Sequence, residues 1–173
     1  NIAVGSGSMG LGTVTSHDNI AIGNFALEDN TSGGNNIAIG SGSLASATDN
    51  IGNIALGFEA LKTSANDGDR NIAIGYQAMK TGDVSGADNV SIGSLALEDL
   101  TTGAGNVAIG KSAALNLTTG ALNIAIGQSA IGSGITTGGK NVAVGYSSAT
   151  ALTSGEGNVA LGVGALTSAT NNQ

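Results

Sequence analysis

The sequence contains no proline, cysteine or tryptophan, and only two Phe, two Tyr and one His among its 173 residues. Without cysteine there is neither a disulfide framework nor a thiolate metal site. His17 alone cannot build a multi-histidine metal centre within one chain. Charged residues make up 10 % of the chain, against about 25 % in ordinary domains. The five Lys and Arg are scattered singly among twelve Asp and Glu, for a net charge of −7. Nucleic acid is therefore not an expected partner, because phosphate binding needs clustered cations. An anionic membrane surface fails for the same reason. No apolar run approaches the ~18 residues of a membrane span, so direct membrane insertion is not expected either. The shortage of aromatics also limits the core. Each buried aromatic covers about 150–250 Å², and only Phe25, Phe58, Tyr76 and Tyr146 are on hand. A thin, extended core is expected in place of a thick one.

What the chain does have is glycine and a period. There are 30 glycines, far above the usual ~7 % of residues. The pentapeptide Asn-[Ile/Val]-[Ala/Ser]-[Ile/Val/Leu]-Gly recurs with its asparagine at Asn1, Asn19, Asn36, Asn53, Asn71, Asn89, Asn106, Asn123, Asn141 and Asn158. The units are 17 or 18 residues long and leave nothing outside the array. Residues 1–173 thus read as one repeat array, and its uncapped ends suggest a segment of a longer fibre protein. The eighth position of a unit is Ala or Ser and the ninth is usually Leu or Met, followed by a polar stretch that often carries Thr-Thr-Gly or Thr-Ser-Gly.

Alternation with period two and β-branched residues identify the pentapeptide as a strand. Helix is excluded, since a glycine costing about 1 kcal/mol interrupts every unit within five residues of its start. A unit this short has no room for a crossover helix. It suits one coil of an all-β parallel β-roll or β-solenoid, with two short strands and two turns per coil. Ten such coils stacked about 4.7–4.9 Å apart would form a rod some 45–50 Å long. Stacked Asn amides are expected to bond from coil to coil. The glycine after each strand is expected to adopt a conformation closed to other residues, or to admit another backbone closely.

The two aliphatics of each strand are expected to fill the coil interior. The third position then lies on the opposite face, as a row of small residues: Ala3, Ala21, Ala38, Ala55, Ala73, Ser91, Ala108, Ala125, Ala143 and Ala160. Its uniformity points to close packing against another copy of the chain, so these ten residues are the sequence's candidates for a subunit interface. A roll this thin also has too little core of its own, and lateral association would supply the missing burial.

The repeated Asn-Ile-Ala-Ile-Gly-x-x-Ala-Leu resembles the head repeat of the YadA-like trimeric autotransporter adhesins, over all ten units. That resemblance implies a left-handed parallel β-roll assembled as a side-by-side homotrimer. The adhesin head unit is typically shorter, about 14 residues. Longer units ending in Thr-Thr-Gly resemble the related repeats of phage tail-fibre proteins. The function implied is a structural rod in an extracellular attachment fibre, on a virion or a bacterial surface. It would hold a host-binding tip at a distance from its base. The partners implied are the chain itself and a host-cell receptor or surface glycan, bound through this segment or a neighbouring domain. The alternatives are an adhesin head that binds surfaces directly and, in another class, an ice-binding solenoid.

Chemistry is sparse. His17-Asp18 pairs a histidine with a carboxylate but has no nucleophile beside it, so no catalysis is expected. Asn66-Asp67-Gly68-Asp69 lacks the spaced ligands of a calcium loop. Gly5-Ser6-Gly7-Ser8 opens no helix and carries no Lys, so it gives no phosphate site. Neither metal nor cofactor is expected. The acidic pairs Glu28-Asp29 and Glu98-Asp99 share the variable tenth and eleventh positions with Lys62 and Lys80, which reads as a solvated face. Phe58, Tyr76 and Tyr146 fall at the variable sixth position and Phe25 at the seventh. These four aromatics are the candidates for receptor contact, by stacking on sugar rings, or for packing against a neighbouring subunit. The Thr column of Thr31, Thr48, Thr101, Thr118 and Thr153 is broken by Ala65 and Asp83, which weighs against ice binding.

Overall fold

The computed structural model describes residues 1–10, 15–63, 68–132 and 137–168. It is an all-β solenoid. Each pentapeptide supplies one three-residue strand, from β1 (Ile2–Val4) and β2 (Ile20–Ile22) through β5 (Ile72–Ile74), β6 (Val90–Ile92) and β7 (Val107–Ile109) to β10 (Val159–Leu161). The ten strands form one parallel sheet in strict chain order. Register is kept throughout, so that Ala73 pairs with Ser91 and Ser91 with Ala108. Every strand residue therefore stands above its own counterpart in the next coil.

Among the described residues each coil has this one strand, not the two expected. The far side of the coil is a run of turns. Its residues at the seventh and ninth positions take positive φ, as at Phe25 (57°) and Leu27 (51°). Extended backbone cannot continue through such left-handed residues. The turns are nonetheless bonded from coil to coil. The Phe25 N–H donates to the Ser6 carbonyl, and the Leu27 N–H to the Ser43 carbonyl. A donor thus points to the coil on either side in turn, which satisfies the backbone without a second strand.

The glycine after each strand behaves as the sequence suggests. Gly110 has φ +131°, and a Cβ there would sit 2.7 Å from the Gly127 carbonyl carbon. Both the conformation and the space admit glycine alone.

The interior reverses the expected faces of the strand. Ala21, Ala38, Ala55, Ala73, Ala108, Ala125 and Ala143 are fully buried within the single chain, and Ala160 nearly so. Ser91 is buried with them, its hydroxyl donating to the Ala96 carbonyl at 2.8 Å. Of the ten, only Ala3 in the first coil is exposed. The small column is thus the inner face of the roll and not a subunit interface. The reason is volume. The interior is already filled from the opposite wall by Leu27, Leu44, Leu61, Met79 and Leu97, all fully buried, and it leaves only a methyl's width at the strand. Leu100, Leu117 and Leu152, at the twelfth position in what reads as a polar stretch, add to the same core.

Candidate functional site

The aliphatics flanking each alanine point outward. Ile22, Ile39, Ile92, Ile109 and Ile126 are each 36 % exposed or more, and the second-position residues are mostly half-buried. All twenty outward sheet positions are Ile, Val or Leu. They form two parallel columns on a face that carries no charge and no hydrogen-bonding side chain. Position four stands the barer of the two in most coils.

The asparagines lie at the mouth of each strand and are buried from Asn19 to Asn141. The Asn106 side-chain carbonyl accepts the backbone N–H of Asn123 at 2.9 Å, and its amide donates to the Gly120 carbonyl at 2.9 Å. From Asn89 upward the side-chain amide also donates to the asparagine below, as from Asn123 to Asn106 at 3.1 Å. The expected amide ladder is present, and it is fully committed to building the rod.

The four aromatics are exposed, and two of them meet. Phe58 and Tyr76 stack at 5.5 Å between centroids and 14° between planes. Phe25 and Tyr146 lie in other coils. Beside the stacked pair is a polar knot absent from the other units. Glu59 bonds Lys62 Nζ at 2.7 Å, Lys80 Nζ at 2.9 Å and Gln77 Nε2 at 2.9 Å. The Lys62 bond first, and then the Lys80 bond, pull the Glu59 carboxyl from its ordinary 4.5 down to about 2. Lys80 is raised in turn, chiefly by Glu59 and to a lesser extent by Tyr76. Glu98 is raised, first by burial and then by Asp99. The Glu59 carboxylate thus accepts from two ammonium groups and one amide. It clamps two coils together.

His17 and Asp18 pair at 3.0 Å with both side chains about three-quarters exposed. Among the described residues no group of three or more His, Asp or Glu is placed to hold a metal ion. Asn66 and Asp67 of the calcium-like tetrapeptide lie outside the described residues, as does Ala65 of the Thr column. An open hollow of about 440 Å³ lies against Gly164, Leu166, Thr167 and Ser168, none of them titratable. The Thr hydroxyls serve the rod as well. Thr31 donates to the Thr48 carbonyl at 3.1 Å and Thr101 to the Thr118 carbonyl at 3.0 Å, so these donors are spent on the adjoining coil. No helix among the described residues is long and apolar enough to cross a membrane. The molecule's most extensive candidate surface is therefore the aliphatic sheet face. Comparison with protein-family models, with curated proteins and with solved structures returns no match.

Proposed function

We propose that this chain is the structural rod of a trimeric attachment fibre, preferentially a virion tail fibre, and that it lies outside the cell. It holds a host-binding element at a fixed distance. Three copies joined along their length present that element multivalently, so avidity comes without new contacts. The roll is left-handed in this reading, the hand that the repeat's resemblance to adhesin heads implies.

The observation that carries the proposal is the uniformity of the array. Ten strands keep one register over the whole sheet. The repeat asparagines bond from coil to coil, the Thr31 and Thr101 hydroxyls donate to the adjoining coil, and the strand-end glycines, as at Gly110, admit the neighbouring backbone. The positions free to vary hold charges and four exposed aromatics, of which Phe58 and Tyr76 stack on each other while Phe25 and Tyr146 stand singly, and single apolar residues on a surface need no special function. Such a chain is suited to bearing load and setting distance. Recognition of a receptor or surface glycan falls to a neighbouring domain.

The test compares the isolated rod with the full fibre for binding to the natural target surface. The expected result is weak or absent binding by the rod. Equal binding by the rod, lost in Tyr76→Ala and Tyr146→Ala variants, would favour an adhesin head that binds directly.

A further inference from the structure

We infer that the rod's interior holds a buried water site between the first and second coils, bound by the side chains of Asn30 and Ser16, in a place that leucine fills elsewhere along the chain. The inference concerns the core and is independent of the fibre reading.

Two columns of residues meet at this place. One is the twelfth position, which carries Leu100, Leu117 and Leu152, all buried. The other is the column whose backbone carbonyl accepts the side-chain amide of the repeat asparagine. There Asn89 bonds Gly103, Asn106 bonds Gly120 and Asn141 bonds Gly155. The two columns compete for one volume. A Cβ on Gly103 would come 2.9 Å from Leu100 Cδ1, and one on Gly120 2.7 Å from Leu117 Cδ1. Leucine at the one position therefore requires glycine at the other.

The first three coils follow a different rule. Their amide-accepting carbonyls belong to Ser16, Gly33 and Asn50. The twelfth position is Asn30 in the second coil and Ala47 in the third. All five residues are buried. The Asn30 amide donates to the Gly33 carbonyl at 3.3 Å, so its side chain lies over Gly33 as Leu100 lies over Gly103. The Asn50 backbone stands directly against Gly33 from the third coil, and Ser16 is Gly33's counterpart in the first. Polar side chains thus displace the leucine column over three successive coils.

Two of their oxygens are left over. Asn30 Oδ1 and Ser16 Oγ are buried with no hydrogen-bond partner among the described residues. Asn30 is 1 % exposed and Ser16 8 %, so bulk solvent does not serve either. Asn50 directs its amide the other way, to the Gly68 carbonyl at 3.0 Å. Proteins satisfy such buried orphans with an ordered water where no group of their own reaches. Successive coils lie ~4.8 Å apart, a span that one water crosses with two hydrogen bonds of ~2.8 Å. Room comes from Ser16, whose hydroxymethyl group is smaller than the isobutyl group of Leu100 or Leu117 by more than the ~30 Å³ share of one water. Water also suits the chemistry. It donates to the Asn30 carbonyl, and at the Ser16 hydroxyl it can donate or accept. None of these residues is charged, which makes a bare cation the poorer occupant.

The test is a crystal structure of the whole chain, joined to a thermal double-mutant cycle on Ser16→Ala and Asn30→Leu. The structure is expected to show one ordered water within about 3.2 Å of both Asn30 Oδ1 and Ser16 Oγ. A direct bond between the two side chains, or no water at Asn30 Oδ1, would overturn the site. In the cycle, Ser16→Ala alone is expected to lower the melting temperature by a few degrees, because the water loses a partner. In the Asn30→Leu background, where the hydroxyl is a bare orphan, the same change is expected to have no effect or to raise it. Equal falls in both backgrounds would mean that the two side chains share no ligand, and would also overturn the site. The wild-type structure decides the question even if Asn30→Leu does not fold.

Discussion

The side-chain carbonyl of Asn106 accepts the backbone N–H of Asn123, one coil away, at 2.9 Å. The bond recurs from Asn1 to Asn158, and each link satisfies a backbone donor that the narrow interior keeps from water. Asn106→Ala removes the acceptor for Asn123 and the donor for Gly120 together. Each buried orphan costs about 1–3 kcal/mol, so the variant should lose about 2 kcal/mol or more in denaturant unfolding. Asn116→Ala, whose single contact is 3.5 Å long and half-buried, should lose less than about 0.5 kcal/mol.

Two glycine substitutions should part sharply. Gly110→Ala meets the Gly127 backbone at 2.7 Å with φ +131°. Neither backbone yields without breaking the ladder, and a loss of at least about 3 kcal/mol is expected. Gly157 has φ +68° and nothing within 4 Å of a new Cβ. Gly157→Ala should cost only the left-handed penalty, about 1–2 kcal/mol. Thermal unfolding of the two variants side by side checks the contrast.

Leu117 and Leu122 lie five residues apart and should respond in opposite senses. Leu117 is fully buried, and Leu117→Ala should cost about 2–5 kcal/mol through the cavity it leaves. Leu122 is 59 % exposed with φ +59°, where a branched side chain is strained and glycine already stands in the equivalent places Gly105 and Gly157. Leu122→Gly should be neutral or gain up to about 1 kcal/mol. A clear loss at Leu122 would indicate that its side chain is covered in the assembly.

Glu59 predicts an acid dependence. Its carboxyl is held at about 2 from an ordinary 4.5 by Lys62 and then Lys80. A depressed folded value stabilises the folded state above the ordinary carboxylate range, and that stabilisation is lost as pH falls from about 4.5 toward about 2. Glu59→Gln should flatten the fall in melting temperature across this window. At neutral pH it should leave the protein somewhat less stable than wild type. An unchanged acid slope would show that the Glu59 bonds do not persist in solution.

The repeat made the architecture legible. Strand positions, parallel register, the asparagine ladder and the glycine at each strand end all follow from ten copies of one pentapeptide, because in-register stacking forces each residue to meet itself. The four aromatics were also recognisable as exposed from their variable positions. Which face of the strand lies inside was not legible. Period two says that the faces of Ile72-Ala73-Ile74 differ, but both are apolar, and bulk argues for the isoleucines within. Only the assembled coil decides it. Met79 and its counterparts reach across from the turn wall and consume the interior volume, so the strand can contribute no more than a methyl. The turn wall itself escaped the sequence, since Leu100, Leu117 and Leu152 stand alone among polar neighbours and the left-handed residues at positions seven and nine carry ordinary side chains. The Glu59 knot joins residues up to 21 apart in the chain, and no local pattern announces a meeting that depends on coil pitch.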